Sequence, residues 1–209
     1  RIWDTATGRV LHECRAFDDW NTGAVAFSPD GRCVASGGRE GIIKLWNDEK
    51  GELLRTLPGR PESVAYLEFS PDGKSLFSSG IDSSAWIWDL TSGEGLCELP
   101  DHAGSLWSVV SAVFSPDGTL IATADGTQMV RLWRTASGAR VRELPGHFRY
   151  AGGLAFSPDG RRLATGDAGH LVRLWDVDTG TLALTLRAHE GNVTASAFSP
   201  DGRWFVTAS

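Results

Sequence analysis

Histidine, carboxylate and thiol are the side chains of this sequence with chemistry to offer, and their spacing decides which kind. His102, His147 and His189 each follow a tryptophan by 14 residues (88 to 102, 133 to 147, 175 to 189). Imidazoles could hold a metal ion or move a proton, but a metal needs all its ligands within about 2 Å of one point. Recurrence at one position of a repeat spreads the three apart instead, and predicts structural hydrogen bonding. His12 and His170 lack partners by spacing and read as surface residues. Asp30, Asp72, Asp117, Asp159 and Asp201 all lie between proline and glycine, where a short carboxylate closes a turn. Paired carboxylates for hydrolysis would be unrepeated residues facing one axis, and none stands out. No GxSxG, GxxxxGK[ST] or EF-hand spacing occurs, so nucleophile, phosphate-loop and calcium-loop chemistry all lack their motif. Cys14, Cys33 and Cys97 form no CxxC pair, which suggests free thiols in a reducing compartment.

The segments that must position these groups are repeated. Phe-Ser-Pro-Asp-Gly occurs at 27–31, 69–73, 114–118, 156–160 and 198–202. A Trp string recurs as Arg1-Ile2-Trp3, Lys44-Leu45-Trp46, Trp86-Ile87-Trp88, Arg131-Leu132-Trp133 and Arg173-Leu174-Trp175. In all four complete units the corner Phe and the Trp that closes the Trp string are 19 residues apart, whereas that Trp to the following corner Phe ranges from 23 to 26. One half of the unit is fixed and the other accepts insertions. Within 150–189, the apolar runs Gly153–Phe156, Arg162–Thr165, Leu171–Trp175 and Leu182–Leu186 are separated by turn residues. Pro presets φ for the turn, and Gly tolerates φ > 0. No stretch shows a sustained 3.6-residue period, so the expectation is all-β, four short antiparallel strands per unit. A four-stranded unit near 42 residues with a fixed Trp indicates a β-propeller.

These units resemble WD40 repeats, whose marks are Gly-His, Ser-Pro-Asp-Gly and Trp-Asp; here Gly146-His147, Trp175-Asp176, Trp88-Asp89 and Trp3-Asp4 supply them. The resemblance implies one propeller domain over 1–209. It would contain a half blade 1–16, blades 17–60, 61–102, 103–147 and 148–189, and a half blade 190–209. The two halves could complete a five-bladed ring. Because residue 1 falls inside a strand-like run with no initiating Met, we expect instead part of a larger, for example seven-bladed, propeller. The resemblance also implies a hydrogen-bonded set joining His, Ser/Thr, Asp and Trp. Its columns read Ser36, Ser78, Thr123, Thr165 and Thr207; His102, His147 and His189; Trp46, Trp88, Trp133 and Trp175; and, in the turn after the second strand, Asp82 beside Glu40, Thr127 and Gly169. On that register no blade holds the whole set.

Partners of WD40 repeats dock on the top face, reached by the connection that carries the insertions here. The longer connections contain Trp20 and Trp107, and loop aromatics bury large area at low entropic cost. Register adds Arg39, Ser63, Ile81, Tyr150 and Asn192, and the candidate partner site is Trp20, Arg39, Ile81, Trp107 and Tyr150. Trp86 stands where other repeats carry Lys or Arg, without a functional role in view. A net charge of −6 argues against nucleic acid or anionic membrane as partner. No apolar stretch reaches the roughly 20 residues of a spanning helix. The expected function is a non-catalytic, cytoplasmic scaffold for a protein or peptide, without cofactor or metal. The competing expectations are a propeller hydrolase or lactonase, and self-association of an incomplete ring.

Overall fold

A computed structural model describes residues 1–15, 22–58, 63–100, 102, 109, 111–149, 151–187 and 189–209. Alternating apolar runs and Pro-Asp-Gly corners fold as antiparallel meanders. The first blade is β3 (Thr22–Phe27), β4 (Cys33–Gly38), β5 (Ile43–Asn47) and β6 (Leu53–Leu57). The second is β7 (Val64–Phe69), β8 (Ser75–Gly80), β9 (Ala85–Asp89) and β10 (Gly95–Glu98). The third is β11 (Ser111–Phe114), β12 (Leu120–Ala124), β13 (Val130–Arg134) and β14 (Arg140–Leu144). The fourth is β15 (Ala151–Phe156), β16 (Arg162–Asp167), β17 (Leu171–Asp176) and β18 (Leu182–Arg187). A hairpin of β1 (Ile2–Trp3) and β2 (Val10–His12) precedes them, and β19 (Ala195–Phe198) with β20 (Phe205–Ala208) follows. These two hairpins are separate two-stranded sheets. Among the described residues the one departure from an all-strand reading is a single 3-10 turn at Arg39–Gly41.

The Ser-Pro-Asp-Gly corner is closed by side chains. In the fourth blade Ser157 Oγ donates to Asp159 at 2.6 Å and accepts from the Arg162 amide at 2.9 Å. Asp159 accepts from the Arg161 amide at 3.1 Å, and Gly160 takes φ +71°. Ser28, Ser70, Ser115 and Ser199 repeat the pattern. In each meander the corners and the turns between third and fourth strands share one rim. The turns between second and third strands share the opposite rim with the connections to the next blade.

The core lies between blades. Inner strands meet in the order β3, β7, β11, β15, β19. Ile43 and Leu57 of the first blade pack against Leu67, Leu76 and Trp88 of the second. Phe77 and Ile87 meet Phe114, Ile121 and Trp133 of the third, whose Leu132 and Leu144 meet Leu163 and Trp175 of the fourth. Trp88 and Trp133 are fully buried, each contributing about 2–3 kcal/mol by apolar transfer. Because each blade is the other wall of its neighbour's core, an outermost blade face stays wet: Val25 is 67% exposed and Trp204 69%.

Candidate functional site

The tryptophan of the third strand sets the buried polar wiring, since an indole N–H taken out of water needs an acceptor. Trp46, Trp88, Trp133 and Trp175 donate to Ser36, Ser78, Thr123 and Thr165 at 2.9, 2.8, 2.8 and 3.0 Å. His102 Nε2 lies 3.3 Å from Thr123 Oγ1, His147 Nε2 2.8 Å from Thr165 Oγ1, and His189 Nε2 2.7 Å from Thr207 Oγ1. A hydroxyl that accepts the indole proton has its own proton to give, so the imidazole accepts it. Each histidine belongs to a different blade.

The carboxylates differ from the expected column. Asp82 is exposed and accepts from the Ser84 hydroxyl and amide at 2.6 and 3.0 Å, closing its own turn. Glu40, Thr127 and Gly169 do not carry the buried charge either. That role falls to Asp125 and Asp167, two residues after the Thr of β12 and β16, both fully buried. Asp125 Oδ2 meets His102 Nδ1 at 2.8 Å and Arg131 at 2.7 Å, and Oδ1 accepts from Thr127. Asp167 takes Arg173 and the amides of Phe148, Gly169 and Leu171. Burial is the largest single influence and would raise both acids; for Asp125 the His102 and Thr127 hydrogen bonds together outweigh it, and for Asp167 the Arg173 bond and charge with the Leu171 and Phe148 amides do so, holding each below the ordinary range. The third blade therefore holds the whole set, contrary to the sequence expectation. A slip of the Asp column by a few residues caused the miss, because turn and wiring carboxylates both follow Ser/Thr closely.

The basic column follows the carboxylate. Where Asp125 and Asp167 stand, the first two blades carry Gly38 and Gly80; where Arg131 and Arg173 stand, they carry Lys44 and Trp86. A buried guanidinium needs its carboxylate, so arginine and aspartate appear together. This accounts for Trp86, whose ring lies 6.0 Å from that of Trp88 and packs on the core between the first two blades.

Thr123, His102 and Asp125 form a hydroxyl–imidazole–carboxylate chain of the kind that activates nucleophiles. All three are buried and Thr123 also receives the Trp133 proton. A nucleophile that substrate cannot reach performs no chemistry, and the chain acts as wiring.

The accessible groups are on the rim of the second-to-third-strand turns. Arg39 is exposed there, and Ile81, 59% exposed, donates its amide to the Ser63 carbonyl at 3.0 Å. Trp20, Trp107 and Tyr150 lie outside the described residues. Phe148, 58% exposed on the same rim with the Arg149 guanidinium 5.8 Å above its ring, was missed from sequence. Its signal was present: the other two histidines of the column are followed by Ala103 and Glu190. Gly41, Ser83, Gln128 and His170 share left-handed φ near 68° at one repeated turn position, whereas Glu40 and Arg149, both at φ 64°, stand outside it. Repetition marks turn geometry; the unrepeated residue is the better pointer to recognition. Two clefts of about 720 and 660 Å³ are on the corner rim between blades and lined by repeated corner residues. Among the described residues no three His, Cys, Asp or Glu side chains converge to hold a metal, and no helix is long and apolar enough to cross a membrane.

A family model described as WD domain, G-beta repeat matches residues 9–47, 51–89, 93–134, 138–176 and 180–209. Each of the first four matches starts with the outer strand of one sheet and ends with the third strand of the next. One repeat thus ties two neighbours together. No curated protein matches the chain.

Proposed function

This chain belongs to the WD40-repeat family, and from that premise we propose that it holds a protein or peptide partner on the rim carrying Arg39, Ile81 and Phe148. WD40 repeats generally mediate protein–protein interaction, and WD40 domains are typically non-catalytic scaffolds. The observation that carries the reading is a pair of large apolar side chains, Ile81 and Phe148, each more than half exposed on a single rim. A folded chain gains nothing by leaving them wet, and aromatic and Arg anchors are the groups that dominate binding energy. Trp20, Trp107 and Tyr150 belong to the same proposal by repeat register. A cytoplasmic setting, where Cys14, Cys33 and Cys97 stay thiols, suits it.

The test is affinity capture from the native host with this chain as bait, then titration of the captured partner. The Ile81→Asp, Phe148→Ala double variant should weaken binding at least 30-fold, about 2 kcal/mol, with the Trp20→Ala, Trp107→Ala pair acting likewise. Unchanged affinity in both would refute the rim. A second reading, self-association, is favoured by the wet apolar faces at Val25, Phe27, Trp204 and Val206.

A further inference from the structure

The inner strands carry two residues that no other blade repeats. Counting back from the Phe of each Ser-Pro-Asp-Gly corner, one position holds Ala26, Glu68, Val113, Ala155 and Ala197. Two residues earlier stand Ala24, Tyr66, Ser111, Gly153 and Ala195. Four blades thus need only something small or apolar at the first position, and the second blade places a carboxylate there. Tyr66 and Glu68 share one face of β7, and both line a cavity of about 430 Å³ bordered by Ala112, Gly153, Leu154 and Ser196 of the following inner strands. A side chain at Gly153 would come within 3.1–3.3 Å of the Ala195 backbone, and its φ is +53°. Close approach of β15 to β19 therefore requires glycine, so this position adds no side chain to the cavity.

Glu68 is half-buried and poorly satisfied. The Tyr66 hydroxyl lies 3.1 Å from Glu68 Oε2 and 3.0 Å from the Ala112 carbonyl, so one proton is shared by two acceptors. Among the described residues that is the only hydrogen bond Glu68 receives, and no Lys or Arg pairs with it. Burial pushes its carboxyl above the ordinary range. A charge kept half out of water with half a partner costs stability unless something else completes it.

We propose that this cavity receives an arginine side chain of a bound peptide, with the Glu68 carboxylate as its counter-charge and the Tyr66 ring beside it. Arginine fits better than lysine because its guanidinium sheds water more readily, pairs bidentately with a carboxylate and packs flat against an aromatic ring. The inference rests on the reading of this chain as a peptide-binding module, but it uses a different surface. Glu68 is next to the corner end of β7, whereas Arg39, Ile81 and Phe148 sit at the opposite rim.

The probes are the pentapeptide acetyl-Gly-Gly-Arg-Gly-Gly-amide and its citrulline counterpart, equal in shape but uncharged, titrated by NMR at pH 8 and low salt. The arginine peptide should shift the amides of β7, β11 and β15 and bind at least tenfold tighter than the citrulline peptide. Glu68→Ala, which installs the residue of three other blades, should fold with an undiminished thermal midpoint and erase that preference. Glu68→Gln should do the same. Equal binding of the two peptides, or a preference that survives both variants, would overturn the site. So would a lowered midpoint in both, because the carboxylate would then be structural. Ile81→Asp should leave this titration unchanged, so failure of the upper rim and failure of this cavity read out separately.

Discussion

His147 is a titratable group held in an environment far from water. Its imidazole is buried between Thr165 and Trp175, and burial first, then the nearby Arg173 charge, pushes its pKa from 6.5 down to about 4, with Asp167 opposing. Between those two values the unfolded chain binds a proton that the folded chain refuses. Stability therefore rises with pH across this window and is lost as pH falls from 6.5 towards 4, by up to roughly 3 kcal/mol if the full shift counts. The carboxylates of Asp125 and Asp167, held low, lose their contribution only below the ordinary carboxylate range, so they leave this window to the imidazole. Urea midpoints at pH 7, 5.5 and 4.5 should decline steeply for the native chain. In His147→Gln, whose amide can still meet Thr165, the decline should flatten; an identical slope in both would show that another group drives it.

Blades differ as elements although their sequences rhyme. The third carries the joined His–Thr–Asp–Arg wiring, the fourth carries its His–Thr and Asp–Arg pairs separately, and both have a neighbour against each face. The first has Gly38 and Lys44 in the coupled positions and a wet face at Val25 and Phe27. Amides of β12, β13, β16 and β17 should then exchange only through larger openings than those of β4 and β5, as hydrogen–deuterium exchange at residue resolution would measure. Protection in β4 and β5 equal to that of β16 and β17 would show that wiring and neighbours add nothing. The strands themselves were legible in the sequence, because Phe-Ser-Pro-Asp-Gly and Leu-Trp fix both ends of the rigid half and leave little freedom of register. Assigning the Asp column was harder. Asp82 and Asp125 both follow a Ser/Thr at short range, and only depth in the blade separates a turn closer from a buried counter-ion. Glu68 and Phe148 are illegible in the sequence for another reason: repetition marks structural positions, and a singular residue gains meaning only from a side chain that faces a cavity or a rim.

At the scale of the molecule, shape is a matter of chemistry at two edges. In every complete blade the Trp of the third strand pairs opposite an apolar residue of the second: Trp46 with Val34, Trp88 with Leu76, Trp133 with Ile121, Trp175 with Leu163. Carried to the two hairpins, that register sets Trp3 opposite Phe205 and aims its indole at Thr207, which already meets His189 at 2.7 Å. The missing partner of this wiring is a tryptophan, and Trp3 is 53% exposed. Since β1–β2 and β19–β20 form separate sheets, a second copy can bring the β20 edge to the β1 edge and cover Val25 and Phe27 with its own inner pair, a heterologous contact that propagates head to tail. Light scattering across a hundredfold concentration range should show discrete growth beyond the 22.5 kDa chain. Phe27→Asp buries a charge in that contact and Trp3→Ala removes the donor, so each should return the protein to monomer without changing its circular dichroism. A mass that stays monomeric at every concentration would mean that these edges close within one chain or stay open.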